Sequence, residues 1–367
     1  MAKPYSIIVF GEPLIEVICE RKPTDEELAD QKKMSAFLRR LPINAASGDA
    51  LNFLGNYTVL NRLLSDKKNR STEKAGLLSS IGNDVFGKKI KQTVKELANE
   101  AVDIDAGLLR LNRGWCSGIY GIHRVDKAGH YQFYFDRFGY AFENMVNTDS
   151  FQATLRTAKQ ADFFYTTGIA LMMTKHYRLF TRLFSELKKA GTKIVFDTNY
   201  RALVARHAGI ASLPKFLASL LANVDILLAG EEDARNLYPE IKDLPTEKLV
   251  GLCFSRWCKE GLSKSQIIIK CGEQGVYWFN KGLRHLPIVN GCLSDYEDQM
   301  VHPEGAGDAF NAGFMVSYKK NHNIETSVRL GLLTGWLMTR YRGCFRKDEP
   351  FISHKDLLFN TLNQQDR

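Results

Sequence analysis

The segment Gly305–Phe314, GAGDAFNAGF, concentrates residue types that could do chemistry. Two glycines let the backbone come close to a ligand. After Gly307 the residues Asp308, Ala309, Phe310, Ala312, Gly313, Phe314 and Val316 read as a helix that is small and apolar almost all round, and such a helix is buried. Free N–H groups at its start would bind an anion and face the charge that builds on a transferring phosphoryl group. Asp308 is out of place in a turn that only binds anions, although N-cap is an ordinary role for Asp there. Further polar groups follow apolar runs. Asp197, Asn199 and Arg201 follow KIVF, Gly230–Glu231–Glu232–Asp233 follows DILLA, and Lys270 with Gly272 follows QIII. Clusters at three strand ends describe the rim of a site, because open α/β sheets bind ligands there. The acidic cluster suits either a magnesium ion held through water or a plain helix N-cap.

One motif is a decoy. Gly82–Lys89, GNDVFGKK, matches G-x-x-x-x-G-K but has Lys89 where a phosphate-binding loop needs Ser or Thr for magnesium, and Phe86 is bulky for a loop that wraps phosphates. The turn is read as structural. No G-x-G-x-x-G follows a strand, so a nicotinamide dehydrogenase has no direct support.

The elements that must position these groups alternate. Ser6–Phe10, Gly76–Ile81, Lys193–Phe196, Asp225–Ala229 and Gln266–Lys270 read as buried strands. Residues 50–64, 84–98 and 176–190 carry helical spacing, with Asp84 as an N-cap and Gly191 at a C′ position. Strand–helix alternation argues a doubly wound α/β sheet with helices on both faces. Two stretches break the pattern. Residues 13–47 open as a strand and turn polar through TDEELADQKK, and residues 115–137 read as two strands joined by VDKAG. They suit either a small β-sheet standing off the main sheet or an edge hairpin.

The chain of 367 residues is 44% hydrophobic and 25% charged, which excludes a disordered protein. A net charge of +9 on scattered basic residues suits an anionic ligand or a solvated basic surface, not a nucleic-acid-binding arm. Cysteines 19, 116, 253, 258, 271, 292 and 344 form no CxxC pair, so neither a zinc site nor a disulfide framework is indicated. The N-terminal apolar run is broken by Glu12 and Glu16, against a signal peptide, and no run is long enough to span a membrane. A soluble cytoplasmic protein is expected.

These residues carry a resemblance. From Ser6 to about Pro350 the chain resembles the PfkB-type, ribokinase-like carbohydrate kinases, through GEPLIE, SGDALN, IGNDVFG, FDTNYR, LLAGEED, IIIKCGEQGVYWF and GAGDAFNAGF in that order. Within the family the 2-keto-3-deoxygluconate kinases are most similar, at Ser47–Asn52, Tyr134–Arg137 and Asp197–Arg201. The resemblance implies a ribokinase-like three-layer α/β/α sandwich with a small β-sheet lid. Residues 1–12, 48–112 and 138–367 would form the large domain, and 13–47 with 113–137 the lid. It implies an ATP-dependent kinase with Mg²⁺, acting on a sugar acid. Asp308 would be the general base, and the amides of Gly305, Ala306 and Gly307 the anion hole. Gly48, Asp49 and Asn52 would hold sugar hydroxyls, with Tyr120, Arg137, Asn199 and Arg201 around them and Arg201 facing an acid group. Lys270, Gly272, Gly275 and Asn311 would lie along the nucleotide, and Asp233 with Glu232 would organise magnesium. A homodimer through the lid is a further implication.

Departures from the family pattern are Ser47 for a Gly, Phe135 for a Tyr, Gly230 for an Asn or Asp, and His302–Pro303–Glu304 for Asp-Thr-Thr. The missing carboxylate at 302 predicts weak dependence on potassium, and Glu304 brings a carboxylate to where phosphates arrive. Rival readings are a fructokinase- or ribokinase-type kinase of a neutral sugar, and a catalytically silent sugar-binding protein of the same fold.

Overall fold

A computed structural model of the chain describes residues 3–65, 72–125, 131–147, 149–174, 176–207, 209, 213–279, 282–288, 304–341 and 349–363. The apolar runs become strands: β1 (Tyr5–Phe10), β2 (Leu14–Ile18), β3 (Ile43–Ser47), β4 (Glu73–Gly82), β5 (Val102–Ile104), β6 (Leu109–Asn112) and β7 (Ile119–Arg124). They continue as β8 (Tyr131–Asp136), β9 (Ala161–Thr167), β10 (Lys193–Asp197), β11 (Ile226–Gly230), β12 (Gln266–Lys270), β13 (Val276–Phe279) and β14 (Leu283–Leu286). The main sheet has the order β14-β13-β12-β11-β10-β9-β1-β4-β5, with β6 also paired to β4. It is parallel from β12 to β5, and β13 and β14 close one edge antiparallel.

Period-two alternation gives each face its own core. On β1, Ile7 and Val9 pack with residues of helices Asp49–Leu64, Ala306–Asn321 and Ile324–Met338. Ile8 and Phe10 pack on the other face with helices Leu179–Lys189 and Thr246–Trp257. The result is a three-layer α/β/α sandwich, the architecture that the resemblance implies. Chain order reverses beside β1: the chain runs outward to β4 and β5, then returns to β9 on the other side of β1 and continues to β12. Such a switch point leaves a crevice at the carboxyl ends of the strands. Glu12, Asn199 and Lys270 all lie at or just past strand ends there.

A second sheet, in the order β3-β2-β7-β8, stands apart from the first. The turn between β7 and β8 lies outside the described residues, as do Lys67–Ser71 of the expected polar loop. Residues 13–47 were read as a strand that turns polar, and the structure adds helix to that stretch. Helices Asp25–Ala29 and Gln31–Arg39 lie within it. Thr24 and Glu27 form a capping box, and the Asp30 carboxylate caps the second helix through the amides of Lys32 and Lys33. Met34, Phe37 and Leu38 are buried. Gly121 of β7 accommodates them, since a Cβ there would stand 2.7 Å from Leu38 Cδ2. Among the described residues no helix is long and apolar enough to cross a membrane, and Cys19, Cys116, Cys253, Cys258 and Cys271 are free thiols.

Candidate active site

The helix Ala306–Asn321 starts from Gly305, whose φ of 76° is a left-handed conformation that suits glycine. Its first intrahelical bond runs from Ala309 N to Gly305 O at 2.9 Å, so the amides of Ala306, Gly307 and Asp308 precede the ladder. Gly307 is exposed and Glu304, just upstream, is buried. His302 and Pro303 lie outside the described residues. Asp308 is the third residue of the helix and not its N-cap, which Gly305 occupies. Asn52, from helix Asp49–Leu64, donates to Asp308 Oδ2 at 3.0 Å.

Three carboxylates converge here on one ammonium. Asp197 ends β10 and accepts from Asn311 Nδ2 at 2.6 Å. Lys270, at the end of β12, lies 3.4 Å from Asp197 and donates to Asn311 Oδ1 at 3.0 Å. Asp49 accepts from Thr167 Oγ1 at 2.5 Å, from Asn199 Nδ2 at 3.1 Å and from the Ala50 amide. Asn199 holds a positive φ of 28° to make that bond. Burial first, and then the Asp49 and Asp197 charges, push Asp308 up to about 8, against the pull of Asn52 and Lys270. The dipole at the start of the helix favours the ionised carboxylate. A helix end contributes ~1 kcal/mol, and desolvation beside two like charges outweighs it.

Each expected site residue now has a place. Gly48 caps helix Asp49–Leu64 at φ 105°, where a Cβ would come 2.5 Å from Glu12 O. Gly48, Asp49, Asn52, Asn199, Lys270 and the Gly305–Asp308 turn meet at the switch point. Asn311 is buried, and its amide bonds with Lys270, Asp197 and the Tyr165 hydroxyl. Gly272 and Gly275 form the turn after β12, at φ 53° and 87°. A Cβ at Gly275 would fall 2.1 Å from Leu286 O, so that glycine serves the β12–β13 turn.

Four of the expected residues have partners within the protein. Arg137 does not present a free fork: it is 5% exposed, and its Nε donates to Glu12 Oε2 at 2.9 Å with Nη2 on the same oxygen. Burial still lifts Glu12 to about 7, against the pull of Arg137. Tyr120 turns its hydroxyl to Glu16 Oε2 at 2.5 Å and lies 2.8 Å from Ser47 Oγ. Asp233 caps its helix: its Oδ2 accepts from Thr198 and the Gly230 amide, and its Oδ1 from the Tyr200 amide. Glu232 beside it is exposed, and among the described residues no group of three His, Cys, Asp or Glu could hold a metal ion. Arg201 donates to Tyr200 O, stands 3.7 Å from Asp233, and keeps 53% of its side chain exposed.

Sequence reasoning passed over Glu12, Glu16, Ser47, Thr167 and Tyr165 as site residues. Glu12 and Glu16 served as breaks in an apolar run and as part of GEPLIE, yet a carboxylate just after a buried strand, as Glu12 is, was a signal. Thr167 closes FFYTT in the same way. Tyr165 gave none, since its hydroxyl meets Asn311 across 146 positions of chain and its ring stacks on Phe53.

Comparison with known proteins agrees with this geometry. The chain is 28% identical over 315 residues to a 2-dehydro-3-deoxygluconokinase of Haemophilus influenzae, covering 85% of this chain and 91% of that protein. It is 24% identical to an ATP-dependent 6-phosphofructokinase of Thermoanaerobacterium thermosaccharolyticum, covering 93% and 90%. Among solved structures, the aminoimidazole riboside kinase of Salmonella enterica superposes with a TM-score of 0.68 at 15% identity, covering 97% of this chain and 99% of that one. The ribokinase of Arabidopsis thaliana gives 0.65 at 18%, covering 100% of both chains. The profile of the pfkB family carbohydrate kinases matches residues 48–350. With that match over most of its length, the chain belongs to the PfkB family of carbohydrate kinases.

Proposed function

We propose that the chain transfers the γ-phosphate of ATP to a hydroxyl of a sugar acid of the 2-keto-3-deoxygluconate class. The observation that carries the reading is Asp308 held by the Asn52 amide in the first turn of a glycine-led helix, with Lys270 beside it. A sugar hydroxyl resting on Asp49 and Asn199 would lie next to Asp308, which takes its proton as the oxygen attacks phosphorus. The amides of Ala306, Gly307 and Asp308 and the Lys270 ammonium meet the charge that grows on the phosphoryl oxygens. Deprotonation has to occur at a carboxyl that holds its own proton up to about pH 8, so proton transfer is sensitive to pH. The second sheet, with Arg137 at the end of β8, would close over the sugar and keep water out.

The acid class is supported by Arg201. Its guanidinium is exposed, and at 3.7 Å from Asp233 it retains donors for a substrate carboxylate. The relatives named as 2-dehydro-3-deoxygluconokinases support the same class, 2-dehydro being another word for 2-keto. One observation favours a neutral sugar instead: Arg137 is committed to Glu12, which leaves Arg201 alone of the two to meet a substrate carboxylate. The test compares kcat/KM for 2-keto-3-deoxygluconate and fructose in the wild type and in Arg201→Ala. The acid sugar is expected to be the better substrate and to lose ~10–100-fold on removal of the arginine, as for a charge-assisted bond. Preference for fructose, or equal loss on both sugars, overturns the acid-sugar reading.

A further inference from the structure

A continuous chain of polar groups joins the second sheet to Asp308. Glu16 on β2 is 2% exposed; one oxygen accepts from Asn44 Nδ2 and the other lies beside the Tyr120 hydroxyl, both at 2.5 Å. Tyr120, on the neighbouring strand β7 and 5% exposed, donates to Ser47 Oγ at 2.8 Å. Ser47 is the last residue of β3 and 1% exposed, and its hydroxyl donates to Asn52 Oδ1 at 3.0 Å. Asn52, 4% exposed, donates in turn from Nδ2 to Asp308 Oδ2 at 3.0 Å. The links from Glu16 through Tyr120 and Ser47 to Asn52 are buried, so water competes poorly for them and each bond depends on its neighbour.

We infer that Ser47 is a positioning residue, which fixes the Asn52 amide for Asp308 and ties that amide to the state of the second sheet. The argument is directional. An amide has a donating and an accepting end, and rotation by half a turn exchanges them. With the Ser47 hydrogen on Oδ1, the NH₂ end must face Asp308, the orientation that an ionised base requires. Without the Ser47 hydroxyl, nothing else named at Oδ1 prevents the carbonyl end from turning toward the carboxyl, where it would oppose ionisation. A glycine at 47, which the family resemblance leads one to expect, has no hydroxyl to offer. The device belongs to this chain's own sequence.

The groups that face Asp308 are Asn52 and Asp49 from one helix, Tyr165 from β9, Asp197 from the end of β10 and Lys270 from the end of β12. Ser47→Ala leaves these charges in place, so a change in the titration of Asp308 reports the amide. The inference rests on the kinase reading for its kinetic consequence, and the experiment separates the two. In the ligand-free protein, the carboxyl carbon of Asp308 is followed by NMR against pH, its signal assigned by loss in Asp308→Asn. Ser47→Ala is expected to raise the midpoint by about half a unit or more. Tyr120→Phe is expected to raise it by less, and the double variant to equal Ser47→Ala alone, since residues in one chain are not additive. No sugar is present, so a direct contact of Tyr120 with substrate cannot produce that shift. In turnover, kcat is expected to fall ~10-fold while the sugar KM changes less than ~3-fold, the mark of misplaced chemistry rather than lost binding. An unchanged midpoint in Ser47→Ala overturns the positioning role, and additive effects of the two substitutions overturn the tie to the second sheet. A wild type that phosphorylates no sugar defeats the kinase reading and leaves the titration to decide this one.

Discussion

Asp308 shows how a single side chain can carry both the reaction and its condition. Asp49 and Asp197 crowd it, Lys270 and Asn52 support it, and burial dominates, so its carboxyl is lifted to about 8. A base must be ionised to accept a proton, so activity should fall as pH drops below that value. In the wild type, kcat/KM is expected to rise with pH along an acid limb that ends near 8, far above the ordinary carboxylate range. Asp308→Asn keeps shape and the bond from Asn52 but cannot take a proton. Its kcat should fall ~10²–10⁴-fold, with sugar and nucleotide binding by calorimetry within a few-fold. A fall of less than tenfold would return Asp308 to a structural role. What was legible at this scale is instructive. Asp308, Asn199 and Lys270 announce themselves as polar residues at glycine-led turns and strand ends. Their partners do not. Asn52 lies 256 positions from Asp308, and Glu12 lies 125 positions from the arginine it neutralises. No local pattern reveals that a fork such as Arg137 is already occupied.

The element that sets this geometry is helix Ala306–Asn321, in which Ala309 to Ser317 are all buried. It lies against helices Asp49–Leu64 and Ile324–Met338, and small residues set the distance. A Cβ on Gly313 would stand 2.2 Å from Thr334 Oγ1 and 3.0 Å from Leu330 O. Thr334 cannot easily retreat, because its hydroxyl donates to carbonyls of its own helix and to Ala309 O. Gly313→Ala is therefore expected to destabilise by ~1–3 kcal/mol through overpacking, despite the better helix propensity of alanine. Urea unfolding at constant m-value would measure it, and an unchanged midpoint would mean that the two helices have room to part. This helix was readable because its composition is small and apolar on every side. Helices Asp25–Ala29 and Gln31–Arg39 were not, although Thr24 and Glu27 spell a capping box. TDEELADQKK resembles a solvated loop. The apolar positions Met34, Phe37 and Leu38 acquire meaning only when β7 supplies a glycine for them to cover.

At the scale of the whole molecule, the crevice that gathers carboxylates should leave a mark on stability. Asp308 is raised to about 8 and Glu12 to about 7, chiefly by burial. Asp49 and Asp233 are raised for the same reason. In the unfolded chain these groups lose their protons near pH 4. Between that value and the folded one, the folded state binds more protons than the unfolded state, so the stability they contribute is present at low pH and is lost as pH rises. For Glu12 the window runs from about 4.5 to about 7, and for Asp308 from about 3.8 to about 8. Glu73 works in the opposite sense: Lys319 and Tyr57 hold it low against its own burial, so its contribution is lost as pH falls. The two signs can be separated by one substitution. Asp308→Asn removes the ionisation at Asp308 and leaves Glu73 and its partners untouched. Thermal unfolding of wild type and variant, without nucleotide or sugar, is compared at pH 5 and pH 8.5. The variant should gain in Tm relative to the wild type at pH 8.5 by several degrees more than at pH 5, because only there does the folded wild type carry the desolvated charge. This gain in stability would accompany the loss of catalysis, as expected where a site is built against the folding preference of its own residues. An equal difference at both pH values would show that Asp308 ionises without cost in the folded chain, and that its neighbours, not its burial, govern the acid limb of the reaction.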